Sequence, residues 1–245
     1  MLVLLPPSET KAPCGDGGPL DLAALSFPEL NPVRRKLADA LIELAADLPA
    51  SLAALGLSER QHTEVARNAA LLTAPTMPAL RRYTGVLYDA LDVGSLTPAK
   101  LRRASGRLAV ASALFGVLRA TDPIPAYRLS GSSTVPGVGP LRELWRPVVE
   151  PALSTLDELV VDLRSGGYRA LARLPEAVTV RVVTAADGGR RLAVSHHNKA
   201  YKGRLARALA LAGREPTTVT GLLRTARAAG ITLEQTGERA VDLLA

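Results

Sequence analysis

The chain opens on a short apolar run, Leu2 to Leu5, stopped by Pro6 and Pro7. That pattern suits a first buried strand whose end launches a polar loop from Ser8. Between Asn31 and Leu55 the apolar residues Val33, Leu37, Leu41, Leu44 and Leu48 recur at helical spacing. Pro32 stands just inside the start and Gly56 just past the end, so one long amphipathic helix is expected there. A second helix is expected over "LSERQHTEVARNAALL", with Ser58 as its cap and Pro75 and Pro78 ending it. "TGVLYDAL" reads as a third, short helix. Thr97 caps a basic helix through Gly106, with Pro98 at its first position, and the apolar run "RLAVASALFGVL" that follows reads chiefly as a buried strand.

Past Arg119 the pattern becomes irregular. "RATDPIPAYRLSG" carries two prolines and reads as loop, with a short strand over "AYRLS". Gly139 and Pro140 precede a helix through Leu153. Strands are expected over "ELVVDL", "AVTVRVV" and "RLAVS", the last two joined by "AADGGR", a hairpin with Asp187-Gly188 at its turn. A basic helix from Asn198 to Ala212, a helix over "VTGLLRTARAAG" and an edge hairpin of "ITLEQTG" and "AVDLL" complete the chain. Strands and helices mixed without regular alternation predict an α/β fold of the α+β type. The expectation is a single compact domain over 1–245, with a central mixed β-sheet flanked by helices and long amphipathic helices in the N-terminal third.

Composition confirms a buried core and excludes some classes. Apolar residues make up 47% of the 245, and no run approaches the ~20 apolar residues of a membrane span. The opening segment has no basic n-region and no small-residue cleavage site, so a cytoplasmic location and no membrane partner are expected. The lone cysteine, Cys14, cannot form an internal disulfide.

Charge changes the picture more. Residues 1–80 carry 6 basic and 9 acidic groups, 81–150 carry 10 and 5, and 151–245 carry 14 and 9, within a net charge of +7. A cationic final two-thirds attracts polyanions or phosphorylated ligands. Only five lysines stand against 25 arginines. Where Arg serves as the generic cation, a retained Lys is a compact, titratable amine. Lys199 and Lys202 lie close together.

Several chemistries find no motif. His62 and the pair His196–His197 have no cysteine partner and no HExxH spacing, so no metal is expected. There is no Ser-His-Asp order to defend, no Walker loop and no strand-GxGxxG-helix unit, and no cofactor is expected. Four polar clusters remain. Ser8, Glu9 and Lys11 follow the first strand, where open sheets place ligand residues. Tyr83 and Tyr88 lie in "RRYTGVLYDAL", and Arg119, Asp122, Tyr127 and Arg128 in "FGVLRATDPIPAYRLSG". The fourth is "HHNKAYKGRLAR", where Lys199, Lys202 and Arg207 fall at roughly helical spacing behind Asn198 as a cap. Lysines and amides at a helix start favour a phosphate, and aromatic rings among cations suit bases stacked above phosphates. In "STVPGVGPLRELW", the turn Gly137–Gly139 resembles the hairpin of a helix-hairpin-helix. Strand and turn precede it where a first helix would be needed, so it reads as a helix N-terminus beside Arg128, a potential phosphate seat.

The order "MLVLLPPSETK", "RRYTGVLYDAL", "ALFGVLRATDPIPAYRLSG", "LRELWR", "VVDLRSGGY" and "KAYKGRLAR" resembles the YaaA family of peroxide stress proteins over nearly the whole chain. The resemblance implies a compact α/β unit that resists hydrogen peroxide by limiting damage from free iron. It also implies DNA binding, with a helix-hairpin-helix element and a basic cleft, and it brings no established reaction. The recurrent polar positions it carries over begin with Ser8, Glu9, Lys11, Tyr83 and Gly85. They continue through Gly116, Arg119, Asp122, Tyr127 and Arg128 to Trp145, Ser165 and Tyr168, and end with Lys199, Lys202, Gly203 and Arg207. Relatives often have Gly where Thr10 stands here, and many have an acidic residue in place of Ser130.

Two functions are therefore expected in competition. In the first, the chain binds duplex or branched DNA with little sequence preference. Phosphates would meet Lys11, Arg119, Tyr127, Arg128, Gly137, Gly139, Ser165, Tyr168, Lys199, Lys202 and Arg207. In the second, it is an enzyme acting on a nucleotide, nucleobase or other phosphorylated small molecule, with Glu9, Lys11, Tyr127, Tyr168 and Lys199 as catalytic candidates.

Overall fold

The computed structural model describes residues 1–185, 191–193 and 198–245. Strand β1 (Leu2–Leu5) is buried along its whole length, as a strand with parallel neighbours on both sides must be. The N-terminal third then folds as α1 (Asn31–Leu44), α2 (Leu48–Leu55) and α3 (His62–Ala69). A two-residue strand β2 (Met77–Pro78) leads into α4 (Ala79–Arg82), α5 (Val86–Leu91) and α6 (Pro98–Arg107). Strands β3 (Leu108–Ser112), β4 (Gly116–Arg119) and β5 (Pro123–Ile124) follow. The second half runs α7 (Leu141–Ser154), β6 (Val160–Asp162), α8 (Gly166–Leu171), β7 (Val178–Ala185) and β8 (Arg191–Ala193). Helices α9 (Asn198–Leu211) and α10 (Val219–Ala228) precede the hairpin β9 (Leu233–Gly237) and β10 (Ala240–Leu244).

Eight strands form one mixed sheet in the order β4-β3-β1-β6-β7-β10-β9, with β8 paired to β7. β1 lies parallel to β3, with Val3 opposite Leu108, and parallel to β6, with Val3 opposite Val161. The chain runs outward from β1 to β3 on one side and crosses back to β6 on the other. Strand order therefore reverses about β1, and the carboxyl ends of β1, β3 and β6 meet at the place where open α/β sheets hold their ligands.

The fold class expected from the pattern is the one found, and three elements differ in detail. The long helix over 31–55 is two helices, broken at Ala45–Asp47. Asp47 adopts an extended conformation and its carboxylate accepts from the Ala50 amide, while Pro49 sits in the first turn of α2. Those are start signals, and they outrank the continuous apolar spacing. The run "RLAVASALFGVL" is not one strand but a tight antiparallel hairpin of β3 and β4. Its turn ends at Gly116, whose φ of +72° and approach to Trp145 leave no room for a Cβ. "AYRLS" is not a strand: its backbone bonds to the Asn68 side chain in α3 through both the Arg128 amide and carbonyl. The turn expected at Asp187-Gly188 lies outside the described residues, although β7 and β8 pair antiparallel on either side of it.

Candidate active site

The loop after β1 is held by backbone and by a buried arginine. Lys11 bridges Tyr83 in antiparallel fashion, with the Ala12 amide donating to Arg82 O and the Thr84 amide to Thr10 O. The guanidinium of Arg82, fully buried, donates to the carbonyls of Ala12, Cys14, Pro75 and Ile124. Opposite this loop, Gly85 has a φ of +98°, and a Cβ there would come within 3.2 Å of the Thr10 hydroxyl. Glycine at 85 is therefore needed both for the turn and for the close approach.

Lys11 lies at the centre of the cluster, 7% exposed. Its Nζ donates to Ser8 O at 3.1 Å and Glu9 O at 3.4 Å, and stands 4.2 Å from the centroid of the Tyr127 ring. Among the described residues its hydrogen-bond and ring partners are carbonyls and aromatic faces, not a carboxylate. Burial pushes its ammonium down to about 8, with the nearby Glu9 opposing the shift. Behind it runs a chain of hydroxyls. The Phe115 amide donates to Ser112 Oγ at 2.9 Å, Ser112 Oγ meets the Tyr127 hydroxyl at 2.7 Å, and the Tyr127 hydroxyl meets that of Tyr83 at 2.7 Å. Burial pushes Tyr83 up to about 12 and Tyr127 well above its ordinary value, so both stay protonated. Tyr88 stacks on Tyr83 with ring centroids 5.6 Å apart and donates to Pro6 O.

The outer rim is charged. Arg128 Nη1 pairs with Glu9 Oε2 at 3.2 Å, with the Glu9 side chain 44% exposed. Arg128 Nε is buried without a hydrogen-bond partner among the described residues. The Tyr168 hydroxyl accepts from the Gly131 amide at 3.1 Å, and burial raises its pKa. Ser165 is exposed at the start of α8, just past β6. Beneath it Asp162 and Arg164 form a buried bidentate pair, 2.9 Å at both contacts. Lys202 in α9 donates to the carbonyls of Leu163 and Arg164, and burial pushes its ammonium down to about 8. The next residue, Gly203, lets α9 press onto α5: a Cβ there would lie 2.2 Å from Leu87 O.

The structure thus brings Glu9, Lys11, Tyr127 and Arg128 together, with Tyr168 alongside. Other candidates lie elsewhere or are engaged in the fold. Arg119 ends β4 at the opposite edge of the sheet, where it pairs with Glu158 at 3.3 Å. Asp122 closes the neighbouring loop, accepting from the Ser26 amide and hydroxyl and from the Arg119 amide. Arg207 donates to the carbonyls of Leu91 and Asp92 and to Ser95. Lys199 is exposed in the first turn of α9. Gly137 and Gly139 both have positive φ, 72° and 85°, with open space where a Cβ would stand. They open α7, and the residues between β5 and α7 contain no helix. Trp145 in α7 is structural, its indole N–H donating to Ala113 O at 2.8 Å in the turn between β3 and β4. His196 and His197 lie outside the described residues. Among those described, no group of three or more His, Cys, Asp or Glu could hold a metal, and no helix is long and apolar enough to cross a membrane.

Sequence reasoning missed Ser112, Asn68 and the pair Asp162–Arg164. Two of them left a signal: Asn68 falls on the buried face of α3 three residues after Val65, and Asp162 follows "ELVV" at the end of a strand reading as apolar.

A family model described as peroxide stress protein YaaA matches residues 1–234. A UPF0246 protein of Corynebacterium efficiens is 51% identical over 238 residues, covering 96% of this chain and 95% of the relative. A UPF0246 protein of Corynebacterium glutamicum is 48% identical over 239 residues, with 96% and 95% covered. One from Streptomyces coelicolor is 44% identical over 239 residues, with 96% and 92% covered.

Proposed function

The chain belongs to the YaaA family of peroxide stress proteins, and on that premise we propose that it acts as an enzyme on a nucleotide, nucleobase or other phosphorylated small molecule, bound where β1, β3 and β6 end. The observation that carries this reading is the Lys11 amine, nearly buried and held by carbonyls and ring faces. At Arg34 and Arg82 the chain gives the task of holding buried carbonyls to arginine, whereas Lys11 and, beyond β6, Lys202 hold theirs through an amine. A lysine in the same kind of setting keeps a titratable amine where arginine would be permanently charged.

With its pKa near 8, about a tenth of the Lys11 amines are neutral at pH 7. The neutral amine takes a proton from the ligand as general base, and the ammonium returns it. The linked hydroxyls of Tyr83, Tyr127 and Ser112 fix the ring on which that amine rests. Arg128 supplies a planar donor fork suited to a phosphate, and Glu9 holds that fork in the free protein. The cellular role of this chemistry is resistance to hydrogen peroxide and to iron-driven damage.

Thermal shift against a panel of nucleotides, nucleobases and sugar phosphates tests the reading. At least one class raises the melting temperature of the wild type, and Lys11→Ala and Arg128→Ala abolish the rise. A panel that shifts nothing would remove the proposal.

A second reading, binding of duplex or branched DNA in the cytoplasm, is favoured by the net charge of +7 and by the exposed glycines Gly137 and Gly139 ahead of α7. It requires affinity that falls steeply between low and physiological salt and depends little on sequence. Retained DNA affinity in Lys11→Ala, together with a lost small-ligand shift, separates the two readings in favour of the enzyme.

A further inference from the structure

A groove of about 1180 Å³ runs along α9 and α10, from Tyr201 at one end to Glu215 and Pro216 at the other. It is separate from the Lys11 cluster, and its Glu215 end lies at the amino edge of the sheet, beside Met1 and Arg107. Three exposed arginines line it: Arg204, Arg214 and Arg224. None has a carboxylate partner among the described residues, and Arg204 rests only on the Tyr201 ring, 5.7 Å from its centroid. The one acidic lining residue, Glu215, is already neutralised by Arg107 at 2.9 Å and the Met1 amine at 2.8 Å. Thr218 caps α10 at the same wall, accepting from the Gly221 amide. The charged groups of the groove are therefore positive in balance, and hydroxyls accompany them, with Thr217, Thr225 and Thr232 also in the lining. Like charges gathered in one concavity repel each other, and an anion relieves that repulsion.

We propose that this groove binds an oligophosphate, a ligand carrying several phosphates in a row. The placement of the arginines suggests the size. Arg204 stands on α9, Arg214 beyond the end of that helix and Arg224 on α10. Cations distributed over three segments of the lining are met by a chain of phosphates in greater number than by a single phosphate, each through paired N–H donors.

The test is isothermal titration of the full chain with sodium tripolyphosphate and, separately, with orthophosphate, at about 0.1 M salt, where surface charges more than about 10 Å apart are screened. Tripolyphosphate binds saturably with one-to-one stoichiometry, and orthophosphate at least roughly tenfold more weakly, as loss of even one charge-assisted contact requires. The triple variant Arg204→Ala, Arg214→Ala, Arg224→Ala loses tripolyphosphate affinity by at least the same factor. Arg128→Ala, in the other site, leaves that affinity unchanged, so failure here is distinguishable from failure of the enzyme reading. All three arginines are exposed, and an unchanged melting temperature verifies the fold. Arg224→Gln alone gives an intermediate loss and serves if the triple variant is unstable. The assignment falls if tripolyphosphate does not bind, if the triple variant binds it as the wild type does, or if orthophosphate binds equally well. It falls equally if a short single-stranded oligonucleotide competes for these arginines while tripolyphosphate does not.

Discussion

The two edges of the central sheet hold their charges in opposite ways. At the amino edge three cations close on two carboxylates: Arg119 pairs with Glu158, Arg107 with Glu215, and the Met1 amine with both acids. At the carboxyl edge the two lysines have none, and both Lys11 and Lys202 rest on main-chain carbonyls with pKa values lowered to about 8 by burial. Ion pairs that close on themselves fix a structure and leave little to react. Amines held by neutral dipoles remain titratable near physiological pH, and the cost of burying them is borne by the surrounding fold. Two ion pairs do close at the carboxyl edge: Arg128–Glu9 lies on the rim, and the buried Asp162–Arg164 pair stiffens the floor on which the Lys202 contacts rest.

That contrast is broken most strongly by removing the partner of a buried charge. Asp162→Ala strands Arg164, 2% exposed, and lowers folding stability by about 3–5 kcal/mol, measured by urea denaturation. A result below about 1 kcal/mol would mean that the floor is not rigidly held.

The pH dependence of stability comes next. Between about 8 and 10.5, folded Lys11 and Lys202 bind fewer protons than the unfolded chain, so their contribution makes stability rise with pH across that window. Above about 10 the unfolded tyrosines ionise while Tyr83, Tyr88 and Tyr127 resist, and stability falls. Denaturant midpoints taken from pH 7.5 to 11 give a maximum between these limits, and Lys11→Met flattens the rising limb. A rising limb of the same slope in that variant would show that Lys11 is not desolvated.

Smaller again is Tyr127→Phe, which removes the middle hydroxyl of the buried chain and costs about 1–2 kcal/mol. Its stronger effect falls on ligand binding, because the ring that supports Lys11 loses its anchor. The smallest effect is at the other edge. Glu158→Gln, with its acid 25% exposed, changes stability by less than about 1 kcal/mol and leaves any small-ligand affinity untouched.

Most of the fold was legible because its signals are local. The all-buried "LVLL", the Thr97 cap and the terminal hairpin follow from periodicity and cap chemistry, and so appear where expected. The break between α1 and α2 was also local, written in Asp47 and Pro49, but the apolar spacing across it masked those residues. The "AYRLS" segment was illegible for a different reason: its conformation is set by Asn68, sixty residues earlier in sequence. The site shows the same division. Ser8, Glu9 and Lys11 could be placed by the rule that ligands gather where strands end. Arg119 and Arg207 could not be told from ligand-binding cations, because the groups that occupy them are a glutamate and two backbone carbonyls distant in sequence.

The central claim is that the carboxyl-edge lysine, not the overall basic charge, defines the function. Isothermal titration of a set of ribonucleoside 5′-monophosphates into the wild type, Lys11→Met and Lys100→Ala tests it most directly, Lys100 being exposed on α6. At least one nucleotide binds the wild type and Lys100→Ala alike and binds Lys11→Met at least roughly tenfold more weakly, the equivalent of one charge-assisted contact. The claim is contradicted if no nucleotide binds saturably, or if Lys11→Met matches the wild type while all three proteins bind duplex DNA with the same salt-dependent affinity.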